Sequence, residues 1–166
     1  MPNGGGTSGG TSGDDAGDAT DIGTLSAQGS AHGSETGGPR RPVTVVGAGL
    51  TGASWAGLFA AAGLEVRLQD VDEKRLTAAV DRAGAAARFL VENGLADATA
   101  AERGIGLLTA TTELAEAVAD AVHVQECVRE DLALKRRLFA AADKAAPSDA
   151  LVCTSSSGLS ISEIQT

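Results

Sequence analysis

Three glycines near the start of the apolar part of the chain have the spacing of a phosphate-binding turn. They form the pattern GxGxxG in the segment GAGLTG, directly after a β-branched run and at the start of a helical pattern. The first glycine permits a tight turn, the second lets a pyrophosphate approach the backbone, and the third lets the helix pack closely on a sheet. We therefore predict that this turn binds the diphosphate of a dinucleotide; a flexible glycine loop is the alternative. The predicted contacts are Gly47, Gly49, Leu50, Thr51 and Gly52.

A carboxylate follows at the place where a dinucleotide presents its ribose. Asp70 ends the next predicted strand, where it would accept hydrogen bonds from the two ribose hydroxyls and repel a 2′-phosphate. This favours NAD over NADP. Arg75 weakens that preference, because a nearby guanidinium can bind a 2′-phosphate, and Asp70 could instead be an ordinary helix N-cap.

The elements that must position these residues alternate between strands and helices. Such alternation predicts a Rossmann-type, doubly wound parallel sheet with helices on both faces. The helix pattern within 72–103 is interrupted at Asn93-Gly94, which predicts two helices there. Predicted strands are 43–46, 64–70, 105–109, 121–127 and 150–154, and predicted helices are 50–63, two within 72–103, 112–119, 131–146 and one beginning within 159–166.

Composition excludes several classes of function. A net charge of -9 and a pI near 4.6 argue against binding nucleic acid through bulk charge. The most apolar stretch, 43–64, is broken by glycines, which argues against a membrane span, and residues 1–39 lack a secretory pattern, so we expect a cytoplasmic protein. Cys127 and Cys153 lie in no CxxC pattern and near no histidine motif, so neither a zinc site nor a disulfide framework is expected.

The chain divides by composition into two parts. Residues 1–39 hold more than half of the 22 glycines, several acids and no Lys or Arg. Such a segment buries too little apolar surface to offset its ordering entropy, which predicts a disordered leader. Residues 40–166 then form one domain of ordinary size.

Residues 42–166 resemble the NAD-binding domain of the 3-hydroxyacyl-CoA dehydrogenase family. The segment HVQECVREDLALK, at 123–135, is most similar to the λ-crystallin branch of that family, which includes L-gulonate 3-dehydrogenase. The resemblance implies NAD as cofactor and oxidation of a 3-hydroxyl group to a ketone by hydride transfer. It implies cofactor-site roles for Glu130 and Lys135, which the residues alone would suggest are a helix-start acid and a solvated lysine.

The same resemblance implies a substrate contact and a missing base. Ser157, in the segment SSSGL, corresponds to the family's serine that holds the substrate hydroxyl, although by itself it resembles a polar turn. Family members remove the hydroxyl proton with a histidine on a later strand, before a helical domain that forms the dimer. We therefore expect a chain that is incomplete at its C-terminus, inactive alone, and homodimeric in the full-length protein.

The substrate stays open between two classes at this point. CoA-binding members place Ser and Lys on the helical hairpin, whereas residues 76–99 contain neither. A small 3-hydroxy acid, such as a sugar acid or a carnitine-like compound, fits at least as well as a 3-hydroxyacyl-CoA from fatty acid metabolism. A non-catalytic NAD-binding module, an inactive truncated fragment and a structural crystallin-like role are the alternatives.

Overall fold

The computed structural model describes residues 41–165, so the predicted leader at 1–39 lies outside the described part. Five short strands and six helices follow one another. They are β1 (Val43–Val46), α1 (Leu50–Ala61), β2 (Val66–Gln69), α2 (Glu73–Glu92), α3 (Ala98–Gly106), β3 (Leu108–Thr111), α4 (Leu114–Val118), β4 (His123–Glu126), α5 (Leu132–Ala145), β5 (Leu151–Thr154) and α6 (Ile161–Ile164).

The strands form one parallel sheet in the order β3-β2-β1-β4-β5. The chain leaves β1 toward β2 on one side and later returns to place β4 on the other side. Parallel pairing in register aligns the carboxyl ends of the strands, with Val46 opposite both Gln69 and Glu126. The predicted doubly wound sheet is confirmed, and its switch point, where such folds bind ligands, lies between β1 and β4.

Helices cover both faces of this sheet, because neighbouring strand residues point to opposite sides. Val45 packs in one apolar cluster with α1, α2 and β2, whereas Val46 packs in another with α4, α5 and β4. Trp55 stacks on Phe59 in α1, with ring centroids 5.4 Å apart.

Small residues bring the helices of the first cluster unusually close together. A Cβ added at Gly57 would lie 2.7 Å from the Cβ of Ala86 in α2. A Cβ added at Gly104 in α3 would lie 2.0 Å from the carbonyl oxygen of Ala60. The buried residues of α1 are all glycine or alanine, which explains how a chain with 2% aromatic residues builds a core.

The predicted third strand is wrong in position. It was expected at 105–109, but β3 is Leu108–Thr111 and Ile105 belongs to α3, where its side chain packs on the first apolar cluster. The side chain of Asp97 accepts a hydrogen bond from the Ala100 amide and caps the start of α3, and the helix then continues through Ile105 to Gly106. The predicted break at Asn93-Gly94 is confirmed, because α2 ends at Glu92 and Gly94 has a φ of +70°.

Within 41–165, no helix combines the length and the apolar character needed to span a membrane.

Candidate functional site

The glycine turn joins β1 to α1, and the fold itself requires two of its three glycines. Gly47 has a φ of +103°, and a Cβ there would lie 2.8 Å from the carbonyl carbon of Cys127. A Cβ at Gly52 would lie 1.8 Å from the carbonyl oxygen of Gly47. A Cβ at Gly49 would meet nothing within 4 Å. Gly49 is therefore not explained by packing and leaves open space beside the backbone.

Helix α1 begins at this open space without a side-chain cap. Its N-cap is Gly49, which has no side chain to accept a hydrogen bond from the first turn. Asp72, Asp97 and Asp131 cap α2, α3 and α5 with their carboxylates. The first turn of α1 therefore presents amide groups and the positive end of the helix dipole to an anion.

Asp70 supports the glycine turn from the end of β2. Its Oδ2 accepts a hydrogen bond from the Ala48 amide at 2.8 Å, and its Oδ1 accepts one from the Asp72 amide at 3.2 Å. The alternative interpretation of Asp70 as the cap of α2 is wrong, because Asp72 is that cap. Each oxygen retains a second acceptor position, as a ribose diol would need.

One cavity of about 380 Å³ at the carboxyl edge of the sheet is lined by four of the nine predicted cofactor residues, and Leu50, Thr51, Gly52, Glu130 and Lys135 are not among its lining residues. Gly47, Gly49, Asp70 and Arg75 all line it. The guanidinium of Arg75 is 3.5 Å from the Asp72 carboxylate and its side chain is largely exposed, so it is not locked in place.

A second group of polar residues joins the loops after β4 and β5. Glu130 accepts hydrogen bonds from the Ser156 hydroxyl at 2.5 and 2.7 Å and from the amides of Ser157 and Gly158 at 3.2 and 3.1 Å. The Ser156 hydroxyl and then the Gly158 amide lower the pKa of Glu130 from its ordinary 4.5 to about 2. Ser157 is exposed, and no hydrogen bond to its hydroxyl occurs within 41–165. Glu130 therefore fixes the backbone of Ser157 and leaves its hydroxyl available.

Lys135 is buried rather than solvated, with 1% of its side chain exposed. Its Nζ lies 2.7 Å from both carboxylate oxygens of Glu126 and 3.3 Å from Oε2 of Glu130. The solvated lysine expected from the residues alone is wrong for this reason. A direct contact of Lys135 with a cofactor stays a prediction; its ammonium also donates to the Val128 carbonyl oxygen at 3.3 Å, and Val128 lines the cavity.

Glu126 is the residue that the sequence reasoning missed. It was treated as part of a strand, yet its side chain is completely buried and accepts hydrogen bonds from Lys135, from the Val128 amide at 2.6 Å and from the Thr154 hydroxyl at 2.5 Å. The available signal was an acid at the carboxyl end of a buried strand, followed by a lysine on the next helix.

Comparison with known proteins decides the family of this fold and site. The family described as 3-hydroxyacyl-CoA dehydrogenase, NAD binding domain, matches residues 42–166. The chain belongs to this family. Its predicted family resemblance and its cofactor, NAD, are thereby confirmed.

Individual relatives agree with this assignment. The lambda-crystallin homolog of Mus musculus is 41% identical over 118 residues, covering 70% of this chain and 37% of that protein. The L-carnitine dehydrogenase of Streptomyces coelicolor is 40% identical over 129 residues, covering 76% and 38%. The crystal structure of 3-hydroxybutyryl-CoA dehydrogenase from Escherichia coli has a TM-score of 0.67 at 33% identity, covering 75% of this chain and 26% of that one. The chain thus spans about two fifths of the length of these curated relatives.

The one histidine within 41–165 is not near the loop at 155–158, which we call the serine loop. His123 is the first residue of β4, whereas the serine loop follows the carboxyl end of β5. Its ring packs edge-on against Phe59 at 5.7 Å, and its Nε2 lies 3.3 Å from the side-chain oxygen of Gln125. His123 is therefore not placed to remove a proton from an alcohol held by Ser157.

Proposed function

We propose that this chain provides the NAD site of an oxidoreductase that oxidises the 3-hydroxyl group of a 3-hydroxy acid or 3-hydroxyacyl-CoA to a ketone. One observation supports it above the others: Gly49 leaves open space in a turn whose other two glycines the fold requires. That space lies beside an uncapped helix start and a cavity shared with Asp70. The donor set matches a diphosphate followed by a ribose.

Each residue has a definite task in this proposal. The amides from Gly49 to Gly52 bind the diphosphate, since those of Gly47 and Ala48 already donate to the Gln69 carbonyl oxygen and to Asp70. Asp70 accepts hydrogen bonds from the ribose hydroxyls. Bound NAD supplies the acceptor for the hydride that leaves the alcohol carbon. The Ser157 hydroxyl donates to the substrate oxygen in the alcohol and in the ketone, and it can also accept a hydrogen bond from the alcohol. Glu130 keeps the serine loop in place.

We further propose that these 166 residues do not turn over substrate by themselves. His123 begins β4, whereas Ser157 follows the carboxyl end of β5, and no other histidine lies within 41–165. Among substrates we favour a small 3-hydroxy acid, since 76–99 holds neither Lys nor Ser for a CoA nucleotide. A cytoplasmic location, a homodimer for the complete protein, and no nucleic-acid or membrane partner complete the proposal.

The test is a calorimetric titration of the purified chain with NAD, repeated on Gly49→Ala. An added methyl group meets no protein atom at Gly49, so the variant should stay folded and lose at most about 1 kcal/mol, because alanine is a poorer N-cap than glycine. The same methyl group occupies the approach of the diphosphate, so NAD affinity should fall about tenfold or more. Gly106→Ala is the matched control, because a Cβ there also meets nothing within 4 Å and Gly106 lies outside the cavity.

Two results would overturn the proposal. One is a folded wild-type chain that gives no heat with millimolar NAD. The other is Gly49→Ala binding NAD as tightly as Gly106→Ala. The substrate class is tested by assaying the full-length gene product with L-carnitine, L-gulonate and 3-hydroxybutyryl-CoA. A strong preference for the CoA thioester would contradict our choice of a small 3-hydroxy acid.

A further inference from the structure

Glu126 is a fully buried carboxylate whose register partner on the neighbouring strand is apolar. Its register partner on β1 is Val46, which is also buried at the end of its strand. A buried carboxylate lowers stability unless it is paired and hydrogen-bonded, and replacing such a pair with apolar residues is often neutral or stabilising. Packing therefore does not account for an acid at this position.

The contacts of Glu126 connect three separate parts of the carboxyl edge. Lys135 comes from α5, Thr154 ends β5, and Val128 lies in the loop after β4. Through Lys135 the connection continues to Glu130, whose Oε2 is 3.3 Å from the ammonium nitrogen. Glu130 then accepts hydrogen bonds from the serine loop.

The two carboxylates contact the ammonium group of Lys135 unequally. Glu126 binds the ammonium with both oxygens at 2.7 Å, whereas Glu130 contacts it at 3.3 Å with one oxygen. The closer carboxylate therefore fixes Lys135, whose ammonium contacts Oε2 of Glu130, while Oε1 of Glu130 accepts hydrogen bonds from the amides of Ser157 and Gly158. Without Glu126 the ammonium would lose its anchor, and Glu130 would lose the contact that holds its Oε2 while its Oε1 accepts from the loop amides.

We propose that Glu126 is a positioning residue for the serine loop. By holding Lys135, it lets Glu130 fix the backbone of Ser157 while the serine hydroxyl stays free for a substrate. This inference rests on the proposed function for its meaning in catalysis. Its structural content, the dependence of the loop on a buried ion pair, does not require NAD to be present.

The experiment compares amide hydrogen exchange at Ser157 and Gly158 between the wild-type chain and two variants. Glu126→Gln keeps the shape of the side chain but removes the charge that holds Lys135. Because that change can unfold the protein, the second variant is the double substitution Glu126→Leu with Lys135→Met, which replaces the whole pair with apolar groups of similar size. Both loop amides should exchange about tenfold faster in the double variant, as expected when a charge-assisted hydrogen bond is lost.

A carboxyl titration of Glu130 by NMR provides a readout that a merely structural role would not change. The proposal expects its pKa to rise from about 2 toward 4.5 in the double variant, because both the lysine and the ordered loop are lost. Asp120→Asn is the control, since it breaks an ion pair with Arg67 at another part of the chain and should alter neither reading.

A double variant that melts like the wild type, with unchanged loop exchange and an unchanged Glu130 pKa, would overturn the positioning role. Calorimetry with NAD on the wild-type chain separates this outcome from failure of the proposed function. If NAD does not bind but the loop loosens as described, the positioning role survives and the cofactor assignment fails.

Discussion

Replacing Asp70 with asparagine should separate two tasks of that carboxylate. The Asp70 side chain accepts a hydrogen bond from the Ala48 amide at 2.8 Å, and Ala48 is only 2% exposed. An asparagine oxygen can still accept this bond, but its NH2 group cannot accept the one from the Asp72 amide, so the free energy of unfolding should fall by only about 0.5–1 kcal/mol. The lost charge weakens the hydrogen bonds from the ribose, because bonds to a charged acceptor contribute about 1–1.5 kcal/mol more than neutral ones.

Two ribose hydroxyls then give a loss of about 2–3 kcal/mol, which is about a 30- to 150-fold weaker NAD affinity. NADP should gain affinity in the same variant, since its 2′-phosphate no longer meets a carboxylate. Asp70→Ala removes the oxygen as well, leaves the buried Ala48 amide unsatisfied, and should lower the free energy of unfolding by about 1–3 kcal/mol.

Calorimetry with NAD and NADP measures the affinities, and urea unfolding followed by circular dichroism measures stability. Asp81→Asn, an exposed position on α2 outside the cavity, is the matched control. Unchanged NAD affinity in Asp70→Asn would refute the role assigned to the carboxylate. Equal stability of the alanine and asparagine variants would refute its role in supporting the turn.

Four further outcomes follow from the same contacts. Gly52→Ala should lower the free energy of unfolding by about 3 kcal/mol or more in urea, because the new Cβ would lie 1.8 Å from a backbone oxygen. Lys135→Met alone should cost about 3–5 kcal/mol in the same assay, since it leaves a buried carboxylate unpaired; a smaller loss than in the Glu126→Leu/Lys135→Met double variant would contradict this. The pKa of Glu130 is lower in the folded chain than its ordinary 4.5, so its contribution to stability is present above that pH and is lost as pH falls toward about 2. Urea unfolding across this pH range should show a falling free energy of unfolding, and the fall should be smaller in Glu130→Gln. Leu151 is 64% exposed on the edge strand β5, so Leu151→Lys should reduce self-association in sedimentation experiments, and a wild-type chain that is already monomeric would count against that.

Local patterns were enough to predict most of the sheet and the glycine turn. β1 is a β-branched run that stops at Gly47, and a motif defined by neighbouring residues carries its own structural context. β3 was misplaced because Ile105 has the type of a strand residue, whereas the cap at Asp97 sets the register of α3. Local propensity cannot show which of two competing signals prevails.

The burial of Lys135 could not be predicted in the same way. Helical periodicity assigns it to a face of α5, but its partner Glu126 lies on β4 and becomes adjacent only when the helix packs on the sheet. The role of Glu130 likewise depends on amides that lie far along the chain, in the loop after β5. Which charged side chains pair at the carboxyl edge of the sheet is decided only when the helices and strands pack together. Sequence spacing alone therefore identifies these residues only in part.

The stacked rings on α1 give this protein an unusual optical property. Trp55 is the single tryptophan and the sequence has no tyrosine, so nearly all intrinsic fluorescence comes from one indole. That indole stacks on Phe59, in the helix that begins at the glycine turn. Its emission therefore reports on the surroundings of one side chain, so a change in protein fluorescence on addition of a dinucleotide can be assigned to a known place in the molecule.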